Sequence, residues 1–255
     1  MSEIITTAKP HTIKKFEIIK NYTDEWARKI LGMPKSTGLV FIDCMCNSGF
    51  YKDEDDNVIE GTATLVAKKL NEIAENYPGK TIELFYNDLD KSRVEYLKSQ
   101  LDNLELNRIS ITYSNKDCND FLRNFPLNKY STRNVLLVYD PYQASIDWNA
   151  LNPFLNAWGE VIINHMIQDT ERGAKQAVKK VAIDKYQKTY HKQIDEIIES
   201  ASDKDQLDKI IVDIIKEQTN DNRRERFIAS FPFFNRKNRV VYNLVFCSGN
   251  VKGIV

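Results

Sequence analysis

The stretch Gly38-Leu-Val-Phe-Ile-Asp43-Cys-Met-Cys-Asn47-Ser48-Gly49-Phe-Tyr51 constrains the fold more than any other part of the chain. Leu39–Ile42 is an apolar run short enough for one buried strand. It breaks into an acid and then into small residues, Asn47-Ser48-Gly49, which let the backbone turn tightly and let a ligand approach its N–H groups. A strand, a small-residue turn and a following helix make the first part of a nucleotide-type α/β half. The spacing D-x-x-x-N-x-G is not the G-x-G-x-x-G that admits a pyrophosphate. Taken singly, the run also reads as a strand followed by an ordinary loop, and its weight comes from what recurs downstream.

Similar units follow. Thr81–Tyr86 reads as a second strand, ending in Asn87-Asp88-Leu89-Asp90 and followed by a helix with Val94, Leu97 and Leu101 on one face. Ile109–Tyr113 is a third strand leading to Asn115-Lys116-Asp117-Cys118, with a brief helix over Asp120–Phe125. Asn134–Tyr139 is a fourth, almost wholly apolar and suited to a central position. It ends in Asp140-Pro141-Tyr142. A helix over Trp148–Trp158 and a strand over Glu160–Asn164 come next. Before all of these, residues 9–34 read as an N-terminal helix. Phe16, Ile18, Ile19, Tyr22, Trp26, Ile30 and Leu31 lie on its inner face, Lys14, Lys15, Asp24, Glu25, Arg28 and Lys29 on its outer face, with Pro10 at the start and Gly32 at the stop. Lys52–Asn57 reads as a polar loop, and Thr62 as the cap of a helix running to about Asn76. Strands alternating with helices predict a mostly parallel, doubly wound sheet with helices on both faces.

Two segments depart from that alternation. Residues 167–226 are charged and helical in pattern, and read as a helical insertion. Over 172–192, Arg172, Lys175, Lys179, Lys180, Lys185, Lys188 and Lys192 face only Asp184, and acids dominate the second half of the segment. Two antiparallel helices of complementary charge are one reading; a basic face for nucleic acid over 172–192 is the other. Residues 226–246 read as a C-terminal β-hairpin around Arg236-Lys-Asn-Arg239.

The 255 residues suffice for one α/β domain spanning 1–255 with that insertion. Lys plus Arg equals Asp plus Glu at 36 each, so no net field argues for nucleic acid or membrane, although a local patch can bind either. No apolar segment approaches the length of a membrane span. Met1–Thr7 lacks a basic region and an apolar signal core, which predicts a cytoplasmic protein. Cys44 and Cys46 form a C-x-C rather than the C-x-x-C of most zinc sites, and His11, His165 and His191 are far apart, so no metal site is expected.

Asp43, Asp88, Asp117 and Asp140 all fall at the carboxyl ends of predicted strands, where open parallel sheets hold ligands. A single acid with few glycines suits a cationic ligand, such as the sulfonium and amino-acid end of S-adenosyl-L-methionine. Asp88, or next Asp90, has the two oxygens to hold both hydroxyls of a ribose. Asp117 suits an adenine amino group, and Asp140 the reacting end. Each acid taken alone also reads as a helix cap or a surface charge.

The order of these pieces resembles class I S-adenosylmethionine-dependent methyltransferases, and more narrowly the three-Cys-motif partner family. The similar pieces are Pro10-His-Thr-Ile-Lys-Lys15 with Tyr22 and Trp26, Phe41–Asp43 through Gly49-Phe-Tyr51, Glu60-Gly61-Thr62, Phe85-Tyr-Asn-Asp88, Asp140-Pro-Tyr142 and Tyr242–Gly249. The resemblance implies a seven-stranded Rossmann-like methyltransferase sheet and bound S-adenosyl-L-methionine. The family name implies a protein partner. The candidate cofactor-binding residues are Lys15, Asp43, Asn47, Ser48, Gly49, Asp88, Asp117 and Cys118. Asp140-Pro141-Tyr142 also resembles the D-P-P-Y motif of amino-directed adenine methyltransferases, where the acid and proline carbonyl accept from the target amino group and the aromatic stacks on the base. These three are the candidate catalytic residues. This chain has one proline where that motif has two, and Asn47 where the methyltransferase turn usually has glycine. The implied function is methylation of a nucleobase nitrogen in nucleic acid; a catalytically degenerate binding or regulatory partner is the alternative.

Overall fold

The apolar runs of the sequence over 39–42 and 135–139 become buried strands. The computed structural model describes residues 4–157, 159–177, 179–201, 203–219 and 225–250. In chain order the elements are β1 (Thr6–Thr7), α1 (Pro10–Leu31), β2 (Gly38–Asp43), β3 (Phe50–Lys52), β4 (Val58–Glu60), α2 (Thr62–Ala74), β5 (Thr81–Asn87), α3 (Lys91–Asp102), β6 (Ser110–Ser114), α4 (Cys118–Arg123) and β7 (Asn134–Tyr139). Then come α5 (Trp148–Leu155), β8 (Gly159–His165), α6 (Ile167–Gly173), α7 (Lys180–Tyr190), α8 (Ile194–Ser200), α9 (Lys204–Thr219), β9 (Phe227–Phe234) and β10 (Val240–Ser248). Seven strands make one sheet in the order β6-β5-β2-β7-β8-β10-β9. This is the mostly parallel, helix-flanked sheet expected from the sequence, closed by its C-terminal hairpin. By internal packing the chain divides into two compact units, 1–138 and 139–255.

In the first unit β2 is central. It pairs in parallel with β5, from Gly38 opposite Thr81 to Asp43 opposite Tyr86, and with β7, from Leu39 opposite Asn134 to Asp43 opposite Val138. All six of its residues are buried. Burial of each large apolar side chain in such a strand stabilises by about 1.5–3 kcal/mol. Pro10, with its fixed φ and missing N–H, starts α1, and Gly32 caps its end. The helix differs from expectation at Lys15, which is only 6% exposed. Lys15 lies four and eight residues before Ile19 and Thr23, so helical periodicity sets it on the buried stripe despite its charge.

Residues 52–57 differ as well. The expected loop is the tip of a hairpin: β3 pairs antiparallel with β4, and β1 pairs in parallel with β3, in a separate three-stranded sheet. Asp53 Oδ1 accepts the N–H groups of Asp55 (2.8 Å) and Asn57 (2.9 Å), and Asp56 takes the left-handed region at φ 62°. Helix α2 is capped by Gly61, not Thr62. Gly61 is extended, its N–H bonds the Gly49 carbonyl at 2.8 Å, and a Cβ there would fall 2.4 Å from the Tyr51 ring. Thr62 is therefore already the first helical residue.

In the second unit β10 runs antiparallel to both β8 and β9, and every one of its residues is buried. Helix α5 starts at Asp147, whose carboxylate accepts the Ala150 N–H at 3.1 Å, and ends at Leu155. Trp158, expected at its end, lies outside the described residues. Between β8 and β9 the described residues form four α-helices, where one reading of the sequence had two. His191 breaks the first long run by adopting φ 51°, and a capping box of Gln193 and Glu196 starts the next helix.

Candidate active site

The sheet reverses direction between β2 and β7: the chain steps outward from β2 to β5 and β6, then returns to the other side of β2. Such a switch point opens a crevice at the carboxyl ends of its strands. Asp43 is the last residue of β2 and is 4% exposed, and Asp88 follows β5 and is 6% exposed. Asp43 Oδ1 accepts the Met45 N–H at 3.2 Å, which turns the chain as it leaves the strand.

Asn47, Ser48 and Gly49 form the turn. Asn47 takes φ 56° and Gly49 φ 68°. Asparagine tolerates this region better than most residues, so the turn keeps its shape without a glycine at 47. The Asn47 amide donates to Asp88 Oδ2 at 2.9 Å. Ser48 Oγ donates to the Phe50 carbonyl at 2.7 Å, and the Gly49 carbonyl accepts Thr64 Oγ1 at 2.9 Å. A Cβ on Gly49 would sit 2.4 Å from Leu97 Cδ1 and 2.8 Å from Thr64 Oγ1, so both the angle and the space demand glycine.

Asp88 Oδ1 accepts the Asp90 N–H at 2.9 Å, so each carboxylate oxygen takes one backbone N–H. The carboxylate is thus a strut between the β2 turn and the end of β5, and each oxygen keeps a second lone pair. Asp90 caps α3 through the Ser92 N–H at 3.0 Å. Asp117 caps α4 through the N–H groups of Asn119 (2.9 Å) and Asp120 (3.2 Å), beside buried Cys118. Both acids therefore have the helix-capping duty open to any acid at such a place.

Three side chains here went unread in the sequence. Asn87, fully buried, donates to the carbonyls of Cys44 and Lys116, both at 3.0 Å, and accepts the Lys116 N–H at 3.1 Å, tying together the loops after β2 and β6. Asn115 donates to the carbonyls of Asp88 and Leu89. Leu89 is 72% exposed directly beside Asp88, a flat apolar surface for a planar ring. The pair Asn87-Asp88 closing an apolar run was the available signal.

The edge is electronegative. Burial pushes the Cys46 thiol well up, and the charges of Asp43 and Asp88 push it further; Cys44 is likewise raised, chiefly by burial. These thiols stay protonated and unreactive. Buried acids beside a turn with one glycine disfavour a phosphate and suit a ligand bearing hydroxyls and positive charge. By that chemistry the residues present fit S-adenosylmethionine.

In the second unit, Asp140 Oδ1 accepts Asn164 Nδ2 from β8. A carboxylate only accepts, so the amide nitrogen must face it. Pro141 is buried and Tyr142 is 67% exposed. Tyr242, on β10, has its pKa raised by burial and then by Asp140. The insertion's Lys185 is partly turned inward, paired with Asp169 at 3.1 Å, whereas Arg172, Lys175, Lys179, Lys180 and Lys188 are exposed.

No protein-family model matches the chain, and no curated protein matches it. Several solved structures are similar to it. An rRNA methylase from Streptococcus thermophilus is 9% identical over 91% of this chain and 93% of that one, with a TM-score of 0.43. The O-methyltransferase TomG from Streptomyces achromogenes, solved with SAM, is 9% identical over 91% and 79%, with a TM-score of 0.47. A SAM-dependent methyltransferase from Agrobacterium tumefaciens is 11% identical over 93% and 61%, with a TM-score of 0.44. Among the described residues, no helix is long and apolar enough to cross a membrane.

Proposed function

We propose that this protein is an S-adenosylmethionine-dependent methyltransferase acting on an amino nitrogen of a nucleobase in nucleic acid. The observation that carries the reading is the pair of buried acids, Asp43 and Asp88, at the switch point of a methyltransferase sheet, beside a turn too poor in glycine for a phosphate. Asp88 and Leu89 would hold the ribose and adenine, with Asp117 and Cys118 at the adenine's far side. Asp43 and the Asn47-Ser48-Gly49 turn would meet the amino-acid end, and Lys15 would face its carboxylate. When bound, the cofactor supplies an electrophilic methyl group.

Asp140 follows β7 by one residue, two beyond Val138, the register partner of Asp43. With Asn164 holding one of its oxygens, Asp140 keeps lone pairs to accept from a target amino group. That acceptance orients the nitrogen lone pair, and orientation dominates the barrier of an in-line transfer. Tyr142 would stack on the base, and the exposed lysines of 172–192 would hold the backbone. The order of the N-terminal and strand-end pieces supports the finer assignment to the three-Cys-motif partner proteins, and with it a protein partner.

The test is transfer of a labelled methyl group from S-adenosylmethionine to RNA, DNA and protein pools. Transfer to nucleic acid, abolished in Asp140→Ala and weakened in Tyr142→Ala but not in Tyr142→Phe, is the expected result. The second reading, a catalytically degenerate partner protein, is favoured by the use of both Asp88 oxygens as backbone struts. Tight cofactor binding with no transfer to any pool would select it.

A further inference from the structure

Helices α6 and α7 reach back to the segment after Asp140 with specific side chains. Asp169 Oδ2, on α6, accepts the Ala144 N–H at 2.8 Å and Lys185 Nζ at 3.1 Å. Lys185, on α7, also donates to Gln143 Oε1 at 3.1 Å. One turn further along α7, Thr189 Oγ1 accepts the Ile146 N–H at 3.0 Å and lies 3.2 Å from the Ala144 carbonyl. The Thr189 carbonyl accepts the Trp148 indole N–H at 2.9 Å. Tyr186 sets its hydroxyl 3.4 Å from Asp169 Oδ2, in space that exists because residue 173 is glycine: a Cβ there would lie 1.9 Å from that hydroxyl. Residues 143, 144, 146 and 148 are therefore all held by two insertion helices, while Tyr142 at the head of the segment is exposed.

The buried bonds among these, from the Ile146 N–H to Thr189 Oγ1 and from the Trp148 indole to the Thr189 carbonyl, rigidify the backbone they join. A tyrosine ring stacks on a base that is out of its duplex stack, and a fixed backbone lowers the ordering cost of that contact. Helix α7 also carries the exposed Lys180 and Lys188, so the surface suited to a phosphate backbone and the clamp on Tyr142 belong to one element. We infer that Asp169 and Thr189 are positioning residues for Tyr142, and that the insertion sets how this ring meets single-stranded nucleic acid. The inference rests on reading Tyr142 as a base-stacking residue.

The experiment pairs Thr189→Val, which removes the hydroxyl at nearly constant volume, with Thr189→Ser, which keeps it. Affinity for a fluorescein-labelled, mixed-sequence single-stranded RNA is read by anisotropy. Tyr142→Ala is expected to weaken binding about tenfold. Thr189→Val should weaken it comparably, Thr189→Ser should restore it, and the double variant should bind no worse than Tyr142→Ala alone, because residues acting through one group are not additive. Losses that add in the double variant would overturn the inference. Amide exchange at Ala144 and Ile146 is measured alongside, and should accelerate in Thr189→Val and not in Thr189→Ser; unchanged exchange would overturn it as well. If the parent does not bind the RNA, the nucleic-acid reading fails, and exchange alone decides whether the clamp holds the segment. Should Thr189→Val not fold, Asp169→Ala, which removes the acceptor of the Ala144 N–H, paired with Asp169→Asn, which keeps one, supplies the same comparison.

Discussion

Asp88 carries a structural duty beside the cofactor role proposed for it. Replacing it by alanine strands the Asn47 and Asp90 N–H groups, at about 1–3 kcal/mol for each that stays buried. Asp88→Ala should therefore lower the melting temperature as well as cofactor affinity, and Asp88→Asn, which retains one acceptor, should fall between. Parallel calorimetry and thermal melts check this; an affinity loss with unchanged stability would mean the strut carries no load.

His165 supplies a pH dependence. It is fully buried, with Nε2 at 2.8 Å from the Tyr190 hydroxyl, and Nδ1 stands 3.9 Å from Asp208 Oδ1, too far for a hydrogen bond. Burial lowers its pKa below 6.5, against the pull of Asp208. The unfolded chain thus takes up this proton first on acidification, so stability is full above about pH 6.5 and is lost as pH falls toward the folded value. Asp208 acts in the same direction lower down: burial raises it, but His165, Ser230 and Asn243 more than offset that and hold it below 3.8. Urea unfolding across pH should show stability falling as pH drops below about 6.5, and His165→Gln should flatten that fall.

At the scale of elements, the β2 turn is the most exacting piece. Gly49→Ala forces a side chain into the left-handed region and into Leu97, and should cost about 1–3 kcal/mol of stability from strain alone, together with cofactor binding. Asn47→Gly keeps the backbone angle and should be far milder; thermal melts of both variants decide. The contrast explains what was legible in the sequence. β2 and β7 were readable because a buried parallel strand is a continuous apolar run, and β5 because its apolar residues alternate with Thr81 and Glu83. The acids at their ends were readable because a run must stop at the sheet edge. β3 and β4 were not, since three half-exposed residues each make no periodic signal. Lys15 was misplaced by charge where position in the helix decides. Asn87 and the Asp169–Ala144 bond were invisible because each joins segments brought together only by the fold.

For the whole molecule, the charge balance of 36 against 36 gives no net field, so recognition has to come from local arrangement. The electronegative edge of the first unit and the lysine-bearing helices of the second supply two such arrangements of opposite sign. The central claim is that the first of them holds S-adenosylmethionine. Titration calorimetry of the parent protein with S-adenosylmethionine and with S-adenosylhomocysteine tests it most directly. Saturable one-to-one binding of both is expected, lost in Gly49→Ala and strongly weakened in Asp88→Ala. The absence of binding to the folded parent at millimolar ligand would contradict it.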